Sequence, residues 1–354
     1  MEPATHRRLI ELLSQPQASP AFAIAADRYR DPARCEREKP LFAAPRVLAA
    51  GSAIAPGSCV PIELPDRSLI LTRDTDGELR AFANACRHRA TRLVDAPRDA
   101  KALVCPYHGW TYDLRGTLMH VPHAETFGAA CVRRDLHRVA VAERHGLVWL
   151  GGDIAGYLGG LDADFAALGL ERSIAYRSSR LTRRCNWKLV IEAFLDGYHI
   201  RVLHRDSIYR FFLDALSVAE PVGPHVRAVT ARRRLRDATG PLHELATPSY
   251  VLFPGTVVIE HPDFLSILTL TPFAADLTEW DHLMLVPAER AAETEHWDAS
   301  WALIEDTVFQ REDLWVCEQI QRGIAAGQTE ELLFGALESA VRWFHATLDA
   351  RLEH

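Results

Sequence analysis

Residues 86–108 carry Cys86-x-His88 and, after a spacer, Cys105-x-x-His108. Two chelating pairs so close together constrain the fold more than any other feature. Each pair must sit on a tight loop where the backbone can wrap a metal, and the two loops must meet. Cys2His2 is a common zinc donor set. Three local features point away from a zinc finger. The spacer between His88 and Cys105 lies between β-type runs, not in a strand-strand-helix frame. His108 leads into Gly109-Trp110-Thr111-Tyr112-Asp113, then Gly116 and Leu118. Pro106 stiffens the second loop ahead of its histidine.

The surrounding texture agrees. Short β-type runs with turn signals fill 47–150, including 68–72, a turn at Asp74-Thr75-Asp76-Gly77, 79–82, 102–104 and 146–150. This reads as a small all-β domain. The chain has 354 residues, enough for about two domains at roughly 150 residues each. The first 40 residues read as helix and loop, with an amphipathic run (Leu9, Ile10, Leu12, Leu13) and breaks at Pro16, Pro20, Pro32 and Pro40. Beyond a glycine-bearing loop at 151–160, a helix is expected over 187–203. Strands are expected over 226–235, 250–260, 265–271 and 280–286, and helices over 295–326 and 331–352. Strands between helices give an α+β second half. The expected division is 1–43, a helical segment packing on the larger domain; 44–153, the β domain; and 154–354, the larger domain.

Bulk properties narrow the setting. A net charge of −7 argues against non-specific nucleic-acid binding, which wants a basic face. No run of about 18 apolar residues and no signal-type h-region is found, so no membrane span is expected. Seven cysteines, at 35, 59, 86, 105, 131, 185 and 317, are odd in number and scattered. A reducing cytoplasm fits them better than a secreted disulfide framework.

CRHRATRL and CPYHGWTYDLRGTL resemble the two loops of a Rieske [2Fe-2S] centre. The resemblance implies that Cys86 and Cys105 hold one iron and His88 and His108 the other. Ala90 departs from the glycine usual after Cys-x-His-Arg, and a modest change of loop packing is expected there. Rieske subunits of membrane complexes carry one more cysteine in each loop. Here those places hold Ala90-Thr91 and Tyr107, which implies the soluble branch of ferredoxins and oxygenases. A ferredoxin would end near residue 150, whereas this chain continues for about 200 more.

Residues 186–204, NWKLVIEAFLDGYHIRVLH, contain Asp196, His199 and His204. On a regular helix Asp196 and His199 lie about 60° apart, but His199 and His204 about 140° apart. They can share a metal only if the helix ends or bulges between them; otherwise they are ordinary histidines. The stretch resembles the catalytic-iron motif of Rieske non-haem iron oxygenases, the terminal components of ring-hydroxylating systems. That implies His199 and His204 as imidazole ligands of a two-histidine, one-carboxylate iron site. It implies Asp196 as the acid linking a neighbouring subunit's cluster to an iron-ligating histidine. Ala193 departs from an asparagine common there. FQREDLWVCEQIQRG (309–323) resembles the family's late helix. On that match Asp313 is the third ligand, with Asp306 and Glu312 as competitors.

The resemblance therefore implies an N-terminal all-β Rieske domain and a C-terminal helix-grip catalytic domain. Its cofactors would be the [2Fe-2S] cluster and a mononuclear Fe(II), with O2 as cosubstrate. No GxGxxG follows a strand and no plant-type four-cysteine run is present, so electrons are expected from a separate NAD(P)H reductase, with or without a ferredoxin. A head-to-tail homotrimer is expected, its heterologous contact closing a ring. The expected reaction is mono- or dihydroxylation, or oxidative demethylation, of a small apolar or aromatic molecule. A soluble Rieske electron carrier with a non-catalytic second domain is the alternative. Pocket candidates are Phe194, Leu195, Val202, Leu203, Phe211, Phe212, Val257 and Leu268. Cys35, Cys59, Cys131, Cys185 and Cys317 read as small buried residues.

Overall fold

Alternation and turn chemistry build the β unit. In the computed structural model, residues 3–13, 19–128, 134–237 and 242–353 are described; Cys131 lies outside them. The chain divides into two compact units: Pro45–Ile154, and Met1–Ala44 together with Ala155–His354. The first unit is all-β. A five-stranded antiparallel sheet runs in the order Arg138–Val139, Leu79–Ala83, Ser68–Arg73, Ser58–Glu63, Arg98–Asp99. Two three-stranded sheets complete it. One of them, Leu103–Val104, Thr111–Tyr112 and Leu118–His120, flanks the second Cys/His loop.

The larger unit is α+β. Its seven-stranded antiparallel sheet runs Ser173–Arg183, Leu277–Pro287, Leu265–Ala274, Thr256–Glu260, Ala246–Leu252, His225–Arg232, Phe212–Val222. One apolar cluster joins this sheet to the helix Trp187–Leu195 and to the C-terminal helices Leu314–Ala325 and Ser339–Leu352. The sheet thus grips helices, as expected. The two edge strands, Ser173–Arg183 and Phe212–Val222, escape the sequence reading. An edge needs no continuous apolar run, and Ser173–Arg183 sets its core-facing Ile174, Tyr176 and Leu181 among serines, a threonine and Arg177, Arg180 and Arg183.

Three further readings are corrected. The strand expected over 250–260 is a hairpin, Ala246–Leu252 and Thr256–Glu260, reversed through Pro254 and Gly255. The helix expected over 331–352 opens as a strand, Glu331–Phe334, paired with Phe22–Ala25, and becomes helical at Ser339. The helix expected over 187–203 stops at Leu195.

The N-terminal segment is locked to the larger unit by buried charge. Glu38 Oε2 accepts from Trp187 Nε1 at 2.9 Å and from Lys188 Nζ at 2.6 Å. Arg34 Nε donates to the other oxygen at 2.8 Å. Lys188 and Glu38 are both fully buried. Breaking a buried pair from one side strands the other charge. Glu38→Gln is therefore expected to cost about 3–5 kcal/mol in chemical denaturation, and Glu38→Met with Lys188→Met to recover most of it.

Candidate metal centres

The two Cys/His loops share one backbone wiring. Cys86 N–H donates to Thr91 O at 2.8 Å and Ala90 N–H to Cys86 O at 2.9 Å. Likewise Cys105 N–H donates to Trp110 O at 2.8 Å and Gly109 N–H to Cys105 O at 3.0 Å. The fourth residue after each cysteine turns the chain with a left-handed backbone, φ 59° at Ala90 and 72° at Gly109. Ala90 thus stands where the other loop uses glycine. The departure is conformational, not the modest packing change expected, because a Cβ makes that backbone costly.

Burial splits the four donors into two pairs. Cys86 and Cys105 are buried, whereas His88 is half-buried and His108 exposed. The two imidazole Nδ1 atoms lie 3.1 Å apart. The His88 ring stacks on Trp110 at 5.1 Å, with the edge of Phe127 at 5.5 Å. Tyr112 Oη lies 3.4 Å from Cys86 Sγ and accepts the Arg87 N–H at 3.0 Å. Burial pushes the Cys86 thiol up. At Cys105 burial is outweighed by the Tyr107 and His108 N–H groups, and the thiol falls below its ordinary value. Among the described residues these four donors do not close into one tight group that a single ion would need. A sulfur pair and a separate nitrogen pair fit a two-iron cluster better than one tetrahedral zinc.

The second centre depends on a broken helix. Asn186 caps Trp187–Leu195, its side chain accepting the Lys188 N–H at 3.0 Å. At Asp196 the backbone turns extended, φ −116° and ψ 121°. Gly197 then passes so close to the strand Phe212–Val222 that a Cβ would lie 2.0 Å from Ser217 Oγ. Helix resumes only at Ile200–Leu203, with His199 before it and His204 after it. The break brings His199 Nε2 within 3.2 Å of His204 Nε2. Asp313 Oδ1 lies 3.1 Å from His204 Nε2 and 3.6 Å from His199 Nε2.

These three donors are the one such group found among the described residues, all within 4.8 Å of one another. Asp313 Oδ1 is buried and has no hydrogen-bond partner. The outer nitrogens are engaged. His199 Nδ1 lies 3.1 Å from Asp196 Oδ2, and His204 Nδ1 lies 2.6 Å from Glu312 Oε2. Ser207 Oγ donates to the same Glu312 oxygen at 2.7 Å. A carboxylate on each Nδ1 fixes the proton there and leaves Nε2 as an inward lone pair. Burial opposes a charged His204, but the Asp313 and Glu312 carboxylates hold its pKa above the usual value. Two imidazole nitrogens and an orphaned carboxylate oxygen fit a divalent iron with open positions. Glu312, a competitor in the sequence, orients His204 instead; Asp306 is outside the group.

Asp313 ends a π-helix, Ala302–Asp313. Leu303, Val308 and Asp313 all line one cavity of ≈ 300 Å³ beside the triad. On an α-helix steps of five drift by about 140° each; π winding, with i→i+5 bonds, keeps such residues on one face. Apolar 3.6 periodicity hid this segment inside the helix expected over 295–326. Phe194, Phe211 and Phe212 line this cavity. Val202 and Leu203 instead line a second one of ≈ 340 Å³ that also reaches Asp196, His199 and Asp313. Leu195, Val257 and Leu268 line neither and belong to the core. Arg232 and His261, on the sheet side of the first cavity, escape the sequence reading. Period-two alternation is the signal that pairs Arg232 with Thr230 within one strand, whereas His261 lies just past the end of its strand.

Comparison with known proteins adds kinship. The family model described as "Ring hydroxylating alpha subunit (catalytic domain)" matches residues 170–354, and that of the Rieske [2Fe-2S] domain matches 45–140. The chain is 32% identical over 162 residues to the glycine betaine monooxygenase oxygenase subunit of Chromohalobacter salexigens, covering 44% of this chain and 36% of that one. It is also 32% identical over 174 residues to the large oxygenase component of the naphthalene 1,2-dioxygenase system of Pseudomonas fluorescens, covering 44% and 37%. The matched stretch thus spans little more than a third of these relatives. Among solved structures, a quaternary ammonium Rieske monooxygenase, described in terms of carnitine oxidation and inter-subunit electron transfer, shares the fold. Its TM-score is 0.81 at 18% identity, over 98% of both chains.

The left-handed Ala90 gives a direct test. Relief of a penalty of about 1–2 kcal/mol, less glycine's entropic cost of about 0.5–1 kcal/mol, leaves a small gain for Ala90→Gly. The variant is expected to raise the melting temperature of the β unit slightly, with unchanged visible absorbance.

Proposed function

This chain belongs to the ring-hydroxylating alpha-subunit family with a Rieske domain, and from that premise we propose that it is the terminal oxygenase of a multicomponent system. It hydroxylates a small, largely apolar or aromatic substrate, using O2 and electrons from a separate NAD(P)H reductase. The observation that carries the reading is the opening of a phenylalanine-lined cavity onto His199, His204 and Asp313. The outer nitrogen of each histidine is already engaged, His199 by Asp196 and His204 by Glu312.

When bound, the cluster supplies single electrons and the mononuclear iron supplies O2 activation. The residues have separable tasks. Cys86, His88, Cys105 and His108 hold the cluster, and His199, His204 and Asp313 hold the iron. Glu312 keeps the His204 ring in its ligating orientation. Phe194, Ile304 and Phe309 exclude water and place the substrate. Asp196 is a positioning residue: it fixes His199 and lines the first cavity as well as the second. Tyr198, Val202, Trp315, Ile320 and Leu333 are exposed apolar residues, and Val202 and Ile320 line that second cavity. Apolar surface of this kind marks a contact site. It supports a homotrimer in which a neighbouring subunit docks beside Asp196.

Metal and acid-labile sulfide per chain test the core of the reading. Anaerobically purified protein should hold about three irons and two sulfides, and His199→Ala about two irons with an unchanged cluster spectrum. Two irons in the parent protein that added Fe(II) does not raise would sink the oxygenase in favour of an electron carrier. Glu312→Gln and Asp196→Ala should fail differently. The first should weaken iron affinity by about 10–100-fold. The second should hold its irons when Fe(II) is supplied in excess, but reoxidise its reduced cluster slowly in single-turnover absorbance measurements.

A further inference from the structure

The cavity beside the triad has two chemically different sides. The helices contribute Phe194, Ile304, Val308 and Phe309. The sheet contributes Thr230, Arg232, Thr247 and Ser249, and the turn after Thr256–Glu260 contributes His261. Residues two apart on a strand share a face, which is why Thr230 with Arg232, and Thr247 with Ser249, point the same way.

Arg232 is the feature without an internal explanation. It is the last residue of the strand His225–Arg232 and only partly exposed. Its Nη1 donates to Thr247 Oγ1 at 3.1 Å. Its guanidinium lies over Phe211 and Phe212, at 5.6 and 5.2 Å from the ring centroids. No carboxylate among the described residues forms an ion pair with it. The contrast on the same strand is sharp, since Arg227 is matched by both Asp164 and Glu220. Three acids share the cavity: Asp196 and Asp313 face His199 and His204, and Asp263 is already held by His296 at 2.6 Å and by Arg290 at 3.5 Å. His261 adds no negative charge. Its Nε2 faces Ser266 Oγ at 3.1 Å, and burial holds its pKa down to about 3, so it is neutral. A part-buried cation with one hydroxyl partner leaves several N–H donors unmatched in a cavity built for a small molecule. A guanidinium fork matches a carboxylate in geometry and charge.

Resting on the oxygenase reading of this cavity, we propose that the substrate is an amphipathic carboxylic acid, its carboxylate held by Arg232 and its apolar body laid against the helical side facing the triad. The anchor sets orientation: with one end fixed, the carbon presented to the metal centre is chosen by the length of the body. Thr247 holds the guanidinium in place, and the Phe211 and Phe212 rings limit its swing.

The test is equilibrium binding to the holoprotein under anaerobic conditions, which needs no turnover. Calorimetric titrations would compare 3-phenylpropanoate with 3-phenylpropanol and 3-phenylpropylamine, and with phenylacetate and benzoate as shorter acids. At least one acid should bind at least tenfold more tightly than the alcohol, and the amine most weakly. Arg232→Gln should erase the preference for acid over alcohol, and Arg232→Lys should keep part of it. Melting temperature and cluster absorbance would report whether the variants fold; the comparison on the parent protein stands without them. Equal binding of acid and alcohol, preference for the amine, no binding by any of the three acids, or a preference that survives in a folded Arg232→Gln would overturn the proposal. Failure of the oxygenase reading looks different: the acid preference would persist while the third iron and O2 consumption were missing.

Discussion

The larger unit turns on the interruption of one helix at Asp196-Gly197. Had the helix run on to Leu203, His199 and His204 would point about 140° apart and no shared ion would be possible. The chain instead goes extended at Asp196, slips Gly197 against Ser217, and restarts for four residues. The interruption costs several helical hydrogen bonds. In return it frees Asp196 to accept from the Tyr198 N–H and to sit against His199. Everything that holds the site steady is arranged around this fixed break. The sheet supplies Ser217, the buried Glu38–Lys188 pair pins the first turn of the helix, and Glu312 reaches across to steady His204.

Both centres follow one design, in which rigid surroundings position ligands that lie on loops or at helix ends. In the β unit the rigidity is local, with paired i+4 and i+5 backbone bonds that close each loop on itself. In the larger unit it is long-range, since His204 and Glu312 are 108 positions apart in the chain. That difference explains what sequence could reveal. Short-range constraints leave motifs, and so the Cys/His loops, the all-β character around them and the histidine pair are readable. Asp313 is readable because its segment resembles a known pattern.

What could not be read has physical causes. The edge strands carry only short apolar sets, Ile174, Tyr176 and Leu181 in one and Leu213, Leu216 and Val218 in the other, set among polar residues. The ranking of Asp306, Glu312 and Asp313 depends on winding, and apolar spacing does not announce a π-helix. Arg232 is hard to read because it falls inside the strand expected over 226–235, beside Arg233 and Arg234, and nothing singles it out until the cavity in front of it is seen. Ala90 stands out in the sequence, but its meaning lies in a backbone angle that composition does not carry.

The π-wound stretch from Ala302 to Asp313 makes the larger unit sensitive to length as well as to chemistry. An α-helical ladder spans four residues per hydrogen bond and this one spans five, so the segment stores surplus residues between two ordinary helices. Removing one of them would let the stretch rewind as α-helix without opening the core, yet the face that carries Leu303, Val308 and Asp313 would be dispersed. Relatives that differ by a single insertion or deletion here can therefore share the whole architecture while presenting a different acid, or none, to the histidines. Counting residues between Trp301 and Asp313 is thus a better guide to whether such a chain keeps its site than scoring the similarity of the residues themselves.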